Sequence, residues 1–197
     1  MNILYIKASP FGEGSDSTKL GDALVARLGG QVDTIDLNQE EMPFLTKEAV
    51  LYSWGVLNDE TAPEEAKAID AKRVSNIEKL SAADTLVIAY PVWNFSIPAV
   101  LKAWLDLIVY MGKTFKYGEN GPEGMISTIQ KVYLVESSGS MPGMIPDFFG
   151  AYLTSALSFL GIKNVERIAL GGTNTGSDEE KNARRAGAMD KVNALAI

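Results

Sequence analysis

The run Thr85–Tyr90 reads TLVIAY, and every residue in it except the first is apolar. A run of this length that is rich in β-branched residues is typical of a β-strand. Because the run lacks polar alternation, we expect a strand that helices cover on both faces, as in a parallel sheet. Four more runs of strand length occur along the chain: Ile3–Ala8, Val32–Leu37, Lys131–Val135 and Arg167–Leu170.

Helical patterns alternate with these runs. Leu20, Leu24 and Leu28, for example, repeat at helical spacing, and Gly29 ends the pattern. Strands that alternate with helices predict an α/β fold with an open, doubly wound parallel sheet. We predict a single domain over residues 1–197 in which five strands take the order 2-1-3-4-5, with helices on both faces. The predicted helices are Leu20–Leu28, Glu64–Leu80, Leu101–Ile108, Phe149–Leu160 and Asp178–Ala196.

The composition excludes several classes of chemistry. The 197 residues include no histidine and no cysteine, so a disulfide, a thiolate nucleophile and a Ser-His-Asp triad are all impossible. The formal charge of −7 argues against nucleic-acid binding, which needs a basic surface. No apolar run approaches the roughly 18 residues of a membrane helix, and no basic segment precedes the apolar N-terminus. We therefore expect no membrane association and no signal peptide, and a cytoplasmic location.

The first loop of interest, residues 9–18, reads SPFGEGSDST and joins a predicted strand to a predicted helix. Free amides and the positive dipole end at a helix start favour a phosphate, and the hydroxyls of Ser9, Ser15 and Ser17 could donate to it. Alternatively, Ser15 or Asp16 only caps the helix. The charge of Asp16 counts against an anion unless its carboxylate points outward. The residues alone leave both interpretations open.

The second loop, residues 91–98, reads PVWNFSIP and follows the most apolar predicted strand. Trp93 and Phe95 offer ring faces and Asn94 offers directional hydrogen bonds, which together suit a flat heteroaromatic ligand. In the alternative interpretation, Trp93 and Phe95 pack beneath the next helix.

The third loop, Ser137–Gly143, reads SSGSMPG. Gly139 allows close approach of the backbone, and the serines could meet the polar edges of a ring. All three loops follow a strand, so in a parallel sheet they emerge at the same carboxyl edge, where ligands bind near the switch point of strand order.

A hydrolase is a further interpretation of the third loop, with Ser137 or Ser140 as the nucleophile. The carboxylates of Glu136 and Asp147 are close in sequence, but nothing in the pattern organises them with a serine. The chain has no histidine to act as base, and the Gly-x-Ser-x-Gly elbow is absent. The sequence therefore disfavours this interpretation.

One phosphate-type loop and two ring-type loops at one sheet edge resemble the flavodoxin-like fold, in which FMN lies at this position. Read together and in order, the motifs make nearly the whole chain resemble the FMN-dependent NADH:quinone oxidoreductase and azoreductase family. That family uses bound FMN and NADH or NADPH to reduce quinones and aromatic azo compounds by two-electron, ping-pong hydride transfer. The motifs are Ile3–Ser9 followed by Ser15-x-Ser17, then Pro91–Pro98, and then Lys113–Gly124, with the interval from Trp93 to Pro122 the most diagnostic.

The resemblance implies a role for individual residues, while FMN carries the chemistry and no side chain is expected to be catalytic. It also implies a homodimer with active sites at the subunit interface, where Phe115, Tyr117 and Phe159 would contribute to the substrate pocket. The implied phosphate ligands are Ser9, Ser15, Asp16 and Ser17; Val92, Trp93, Asn94 and Phe95 would line the isoalloxazine, and Ser137, Ser138, Gly139 and Ser140 would follow its other edge.

The chain departs from the family pattern in the ring-type loops. Gly139-Ser140 stands where the family often has a Gly-Gly pair, and an arginine common near Ser138 is missing. Val92 replaces a longer Met or Leu. The resemblance therefore leaves one backbone contact and the charge at that edge open, and the shorter Val92 implies a slightly larger pocket.

A flavodoxin-type electron carrier, which binds FMN without a substrate pocket, is the alternative to an enzyme. The segments Asn38–Pro63 and Gly112–Ile129 are longer than a carrier needs and favour the enzyme. Because long loops usually have a function or a short helix, we expect one or the other in Asn38–Pro63. Arg184 and Arg185 are interpreted as solvated residues of the last helix.

Overall fold

The computed structural model describes residues 1–144 and 146–195. The strands are β1 (Asn2–Lys7), β2 (Gln31–Asp36), β3 (Thr85–Pro91), β4 (Phe115–Gly118), β5 (Gly121–Gly124), β6 (Lys131–Ser137) and β7 (Val165–Leu170). The α-helices are α1 (Asp16–Leu28), α2 (Lys47–Ser53), α3 (Glu64–Ala82), α4 (Ala99–Ile108), α5 (Phe148–Phe159) and α6 (Asp178–Ala194). The last predicted helix was extended to Ala196, which lies outside the described residues.

Five parallel strands form the central sheet in the order β2-β1-β3-β6-β7. The doubly wound parallel sheet is therefore confirmed. The numbering differs from the predicted 2-1-3-4-5 because β4 and β5 form a separate antiparallel hairpin that the sequence did not predict. Each of these two strands has only four residues, and neither shows the apolar run of a sheet strand.

Helices cover both faces of the sheet, as its apolar pattern predicts. On one face, Leu86 and Ile88 of β3 belong to a core that also contains Trp104 of α4 and side chains of α3 and α5. On the other face, Val87 and Ala89 pack in a core with α1 and α6. Every residue of β3 is buried, which explains why its sequence is continuously apolar.

The long segment Asn38–Pro63 contains a helix of its own, α2, whose first turn is capped by the hydroxyl of Thr46. The buried guanidinium of Arg73 holds this segment to the rest of the fold. Arg73 donates to the hydroxyl of Ser53 at the end of α2 and to the carbonyls of Leu107 and Val109 at the end of α4. Within the described residues, no helix combines the length and apolar character that crossing a bilayer requires.

Candidate functional site

A cavity of about 760 Å³ opens at the carboxyl edge of the parallel sheet. Its walls are the loops that follow β1, β3, β6 and β7, so it lies where strand order reverses around β1. Its volume is in the range of pockets that hold a small organic molecule. Eleven of the twelve residues expected to bind the cofactor line this cavity, and Ser17 is the one that does not.

The loop after β1 presents the N-terminus of α1 to the cavity. Ser15 is the N-cap of α1, but its side chain makes no capping hydrogen bond to the backbone. Its hydroxyl instead lies 3.0 Å from the hydroxyl of Ser17. Ser9, Ser15 and Ser17 are all buried, so these hydroxyls are fixed at the end of a helix whose first amides no side chain of the loop caps. Such an end favours an anion.

The carboxylate of Asp16 is held by Arg185 of α6. Arg185 Nε lies 2.9 Å from Asp16 Oδ1, and Nη2 lies 3.1 Å from Oδ2, so the pair is bidentate. The interpretation of Arg184 and Arg185 as merely solvated was wrong, because Arg184 donates to the carbonyl of Thr175. These contacts join residues far apart in sequence, so no local pattern indicates them.

The loop after β3 makes a tight two-residue turn. The N–H of Trp93 donates to the carbonyl of Ser96 at 3.0 Å, and the reverse bond is 2.9 Å. Asn94 and Phe95 lie between them with φ of 50° and 65°, in the left-handed region that non-glycine residues rarely adopt. Trp93 is 40% and Phe95 is 64% exposed, so neither packs beneath the next helix. Strained backbone of this kind concentrates at functional sites.

The loop after β6 is tied to both of its neighbours. The carbonyl of Ser137 accepts from the N–H of Val92 at 2.7 Å, which joins this loop to the loop after β3. On the other side, a Cβ at Gly139 would come within 2.8 Å of Asn174 Nδ2. Gly139 therefore permits close approach to the loop after β7.

Five lining residues were missed in the sequence: Phe11, Gly14, Pro91, Thr173 and Asn174. Thr173 and Asn174 follow β7, so the sheet-edge rule that selected three loops would also have selected a fourth. Phe11 and Gly14 lie within the phosphate-type loop itself. Phe11 packs edge-on against Trp93, with ring centroids 6.0 Å apart.

The two carboxylates near the third loop, those of Glu136 and Asp147, bind residues other than its serines. Glu136 accepts a hydrogen bond from the Tyr90 hydroxyl at 2.6 Å and another from Arg167 at 2.7 Å. Arg167 also pairs with Asp147 and thereby lowers the pKa of that carboxyl, while burial raises the pKa of Tyr90. Because both carboxylates are paired with Arg167, neither is placed as a base for Ser137 or Ser140.

The three residues expected in the substrate pocket form a separate aromatic cluster. The Phe115 ring lies 5.8 Å from the ring of Tyr117 and 4.7 Å from that of Phe159. None of the three lines the cavity of its own chain, and Tyr117 is 70% exposed. The structure therefore brings them together, but on a surface outside the cavity.

The donor set of the cavity fits FMN. The α1 N-terminus with its serine hydroxyls suits a phosphate, and the loops after β3 and β6 supply aromatic faces, an amide and backbone groups for a flat ring. The part of the chain that the structure describes shows no cluster of three or more side chains able to hold a metal ion.

Comparison with known proteins identifies the family. Residues 1–195 match the family described as having a flavodoxin-like fold. An FMN-dependent NADH:quinone oxidoreductase from Paraburkholderia phymatum is 37% identical over 198 residues, which cover 98% of each chain. One from Erythrobacter litoralis is 37% identical over 171 residues and 85% of each chain.

Solved structures agree with these relatives. The crystal structure of an azoreductase from Bacillus anthracis superimposes with a TM-score of 0.85 at 25% identity, over 98% of this chain and 96% of that one. An FMN-dependent NADH-azoreductase from the same species, solved in complex with FMN, shares the fold with a TM-score of 0.84 at 23% identity, over 100% and 99% of the two chains. This chain belongs to the flavodoxin-like family that includes the FMN-dependent NADH:quinone oxidoreductases.

Proposed function

We propose that the protein is an FMN-dependent oxidoreductase that uses NADH or NADPH to reduce quinones and aromatic azo compounds by two-electron transfer. The observation that carries the proposal is the cavity at the switch point of the sheet, with a helix N-terminus at one end and aromatic and amide groups at the other. The named activities of its relatives support the same reaction class.

Each loop has a distinct role in this proposal. Ser9 and Ser15, with the first amides of α1, hold the phosphate, and the buried Ser17 contributes through the contact of its hydroxyl with that of Ser15. Val92, Trp93, Asn94 and Phe95 line one side of the isoalloxazine, and Ser137–Ser140 follow its other edge. Thr173 and Asn174 complete the wall.

Bound FMN supplies the redox chemistry, exchanging two electrons with a nicotinamide and then with a quinone or azo acceptor. The chain's own residues bind FMN and orient it for the reaction. Asp16 is the only titratable side chain among the described residues that line the cavity, and Arg185 engages it. We therefore assign no acid or base role to the protein, and the protons would come from water or from the flavin N5–H.

We further propose a homodimer in which each protomer completes its partner's site. The cluster of Phe115, Tyr117 and Phe159 supports this proposal, because these rings lie outside the cavity of their own chain and two of them, Tyr117 and Phe159, are exposed. The single domain over residues 1–197 and the cytoplasmic location stay predictions.

The test is an absorption spectrum of the purified protein with added FMN, followed by NADH oxidation with menadione as the acceptor. We expect flavin bands at about 370 and 450 nm that stay with the protein, and turnover without any second protein. The double variant Ser15→Ala/Ser17→Ala should lose FMN affinity, whereas Ser75→Ala/Ser81→Ala, on the exposed side of α3, should retain it.

Two results would contradict the proposal. FMN binding without NADH turnover would make the protein an electron carrier of the flavodoxin type. A colourless protein without FMN affinity would exclude both flavin functions and return the hydrolase interpretation to consideration.

A further inference from the structure

The cavity that we propose to hold a phosphate has no lysine or arginine among its described lining residues. Asp16 is the one charged side chain among its described lining residues. The loop of residues 9–18 carries two carboxylates, Glu13 and Asp16, and no lysine or arginine. A phosphate monoester carries between about 1.5 and 2 negative charges at pH 7. A phosphate at the N-terminus of α1 would therefore face a carboxylate without any cation on its own loop.

Arg185 brings a cation to this point from the far end of the chain. It contacts both oxygens of Asp16 through two different nitrogens, at 2.9 and 3.1 Å. The Asp16 side chain is 17% exposed and that of Arg185 is 39% exposed, so water screens the pair in part, chiefly from the side of Arg185. A third contact, from Arg185 Nη1 to Asn182 Oδ1 at 3.3 Å, orients the guanidinium from within α6. The bidentate geometry makes this one of the stronger kinds of ion pair.

We propose that Arg185 determines the preference of the cavity for a phosphorylated flavin, because it neutralises Asp16 where the phosphate binds. The inference rests on the proposed FMN function and deepens it. Arg185 does not line the cavity, so it is a positioning residue that acts through Asp16. Without it, the uncompensated carboxylate of Asp16 repels the phosphate, while the ring-binding loops are unchanged.

The experiment compares the dissociation constants of FMN and riboflavin, which has the same ring system but no phosphate. In Arg185→Gln we expect the FMN constant to rise about tenfold and the riboflavin constant to change by less than about twofold. In Asp16→Asn/Arg185→Gln, FMN affinity should return to within about threefold of wild type, since no carboxylate opposes the phosphate. Raising the salt concentration should reduce the difference between wild type and Arg185→Gln.

The control is Lys191→Gln, which removes the same charge from an exposed position near the end of α6. It should leave both constants unchanged. Thermal unfolding without flavin checks that each variant is folded.

Three outcomes would overturn the role of Arg185 while wild type still binds FMN: no effect of Arg185→Gln, an equal loss of FMN and riboflavin, or no rescue by Asp16→Asn. Binding of neither flavin by wild type would instead overturn the proposed function, and the role of Arg185 with it.

Discussion

Phe95 holds a backbone conformation that suits glycine better than phenylalanine. Its φ of 65° costs an L-residue about 1–2 kcal/mol, and its ring is 64% exposed, so little buried surface offsets that cost. A residue that is strained and exposed beside a cavity is explained by ligand contact better than by packing. The strain is therefore consistent with Phe95 lining the flavin ring.

The positive φ of Phe95 predicts which of two variants at this position is the more stable. Phe95→Gly should be more stable than Phe95→Ala by about 1 kcal/mol, because glycine adopts the left-handed conformation without penalty. Urea denaturation of the flavin-free proteins measures the difference. Phe11 provides the matched control: it is 71% exposed beside the same cavity, but its φ is −83°, so there alanine should be at least as stable as glycine. Equal stabilities at position 95 would contradict the assigned strain.

The ion pair of Asp147 predicts how the stability of the protein depends on pH. Its hydrogen bond with Arg167 holds its pKa below the ordinary 3.8, so its contribution to stability is present above that value and is lost as the pH falls through the folded-state pKa. The side chain is 48% exposed, which limits the contribution to about 0.5–1 kcal/mol.

Asp147→Asn retains a capping side chain for α5 but removes the charge. The difference in free energy of unfolding between wild type and this variant should therefore be largest near pH 6 and should shrink below about pH 4. The exposed Asp190→Asn serves as control. A difference that is constant from pH 6 to pH 3 would show that the ion pair with Arg167 contributes nothing.

At the scale of elements, the β4–β5 hairpin is docked on the end of α5 by direct backbone contact. The N–H of Ile126 donates to the carbonyl of Leu160 at 2.9 Å. A Cβ at Gly124 would overlap the backbone of Leu160 and Gly161, which cannot move aside as a flexible side chain could. The docking of the hairpin thereby determines the position of Tyr117 on the surface.

Gly124→Ala should therefore separate the hairpin from α5 and lower the free energy of unfolding by about 1–3 kcal/mol. Because the hairpin does not line the cavity, FMN affinity should stay unchanged while turnover falls. Gly187→Ala is the control: it lies within α6 with open space around it, so it should stabilise the protein by about 0.5–1 kcal/mol. Loss of FMN affinity in Gly124→Ala would show that the hairpin and the cavity are coupled.

At the scale of the whole molecule, the cavity couples flavin binding to stability. It is built from four loops that join separate strands, so a ligand that contacts all of them binds only the folded chain. At a free FMN concentration of about 100 times its dissociation constant, the gain should be about 2.7 kcal/mol. For a chain of this size, that corresponds to a rise in Tm of about 5–10 °C. Adenosine monophosphate, which has a phosphate but no flavin ring, should give no comparable rise, and an equal rise would contradict ring recognition.

The proposed homodimer predicts that two inactive variants can restore one another. Ser15→Ala/Ser17→Ala lacks a working phosphate site but has Tyr117, while Tyr117→Ala has an intact cavity. If Tyr117 acts on the partner's cavity, a mixed dimer contains one complete site, and mixing the variants after subunit exchange should recover activity above the sum of the two. Analytical ultracentrifugation tests whether the chain dimerises, and no recovery in an exchanging mixture of dimers would show that Tyr117 acts within its own chain.

The sequence by itself determined the elements of the parallel sheet and most of the loops that line the cavity. The apolar run at Thr85–Tyr90 and the helical spacing from Leu20 to Leu28 are local patterns. Burial on both faces of a strand, or on one face of a helix, produces such patterns directly in the sequence. Three of the four cavity loops followed from them, because parallel strands end at one edge.

Only the tertiary structure decided which distant residues meet. The pair Asp16–Arg185 spans 169 positions, and the hairpin depends on the approach of Gly124 to Gly161, so neither leaves a periodic signal. The strain at Phe95 is likewise invisible in the sequence, because phenylalanine is not a residue that indicates a left-handed turn. Local periodicity in the sequence reports which residues are buried. Ion pairs and close backbone contacts depend instead on how the finished elements pack against one another. The packing of α6 against α1 therefore determines the charge balance of the cavity.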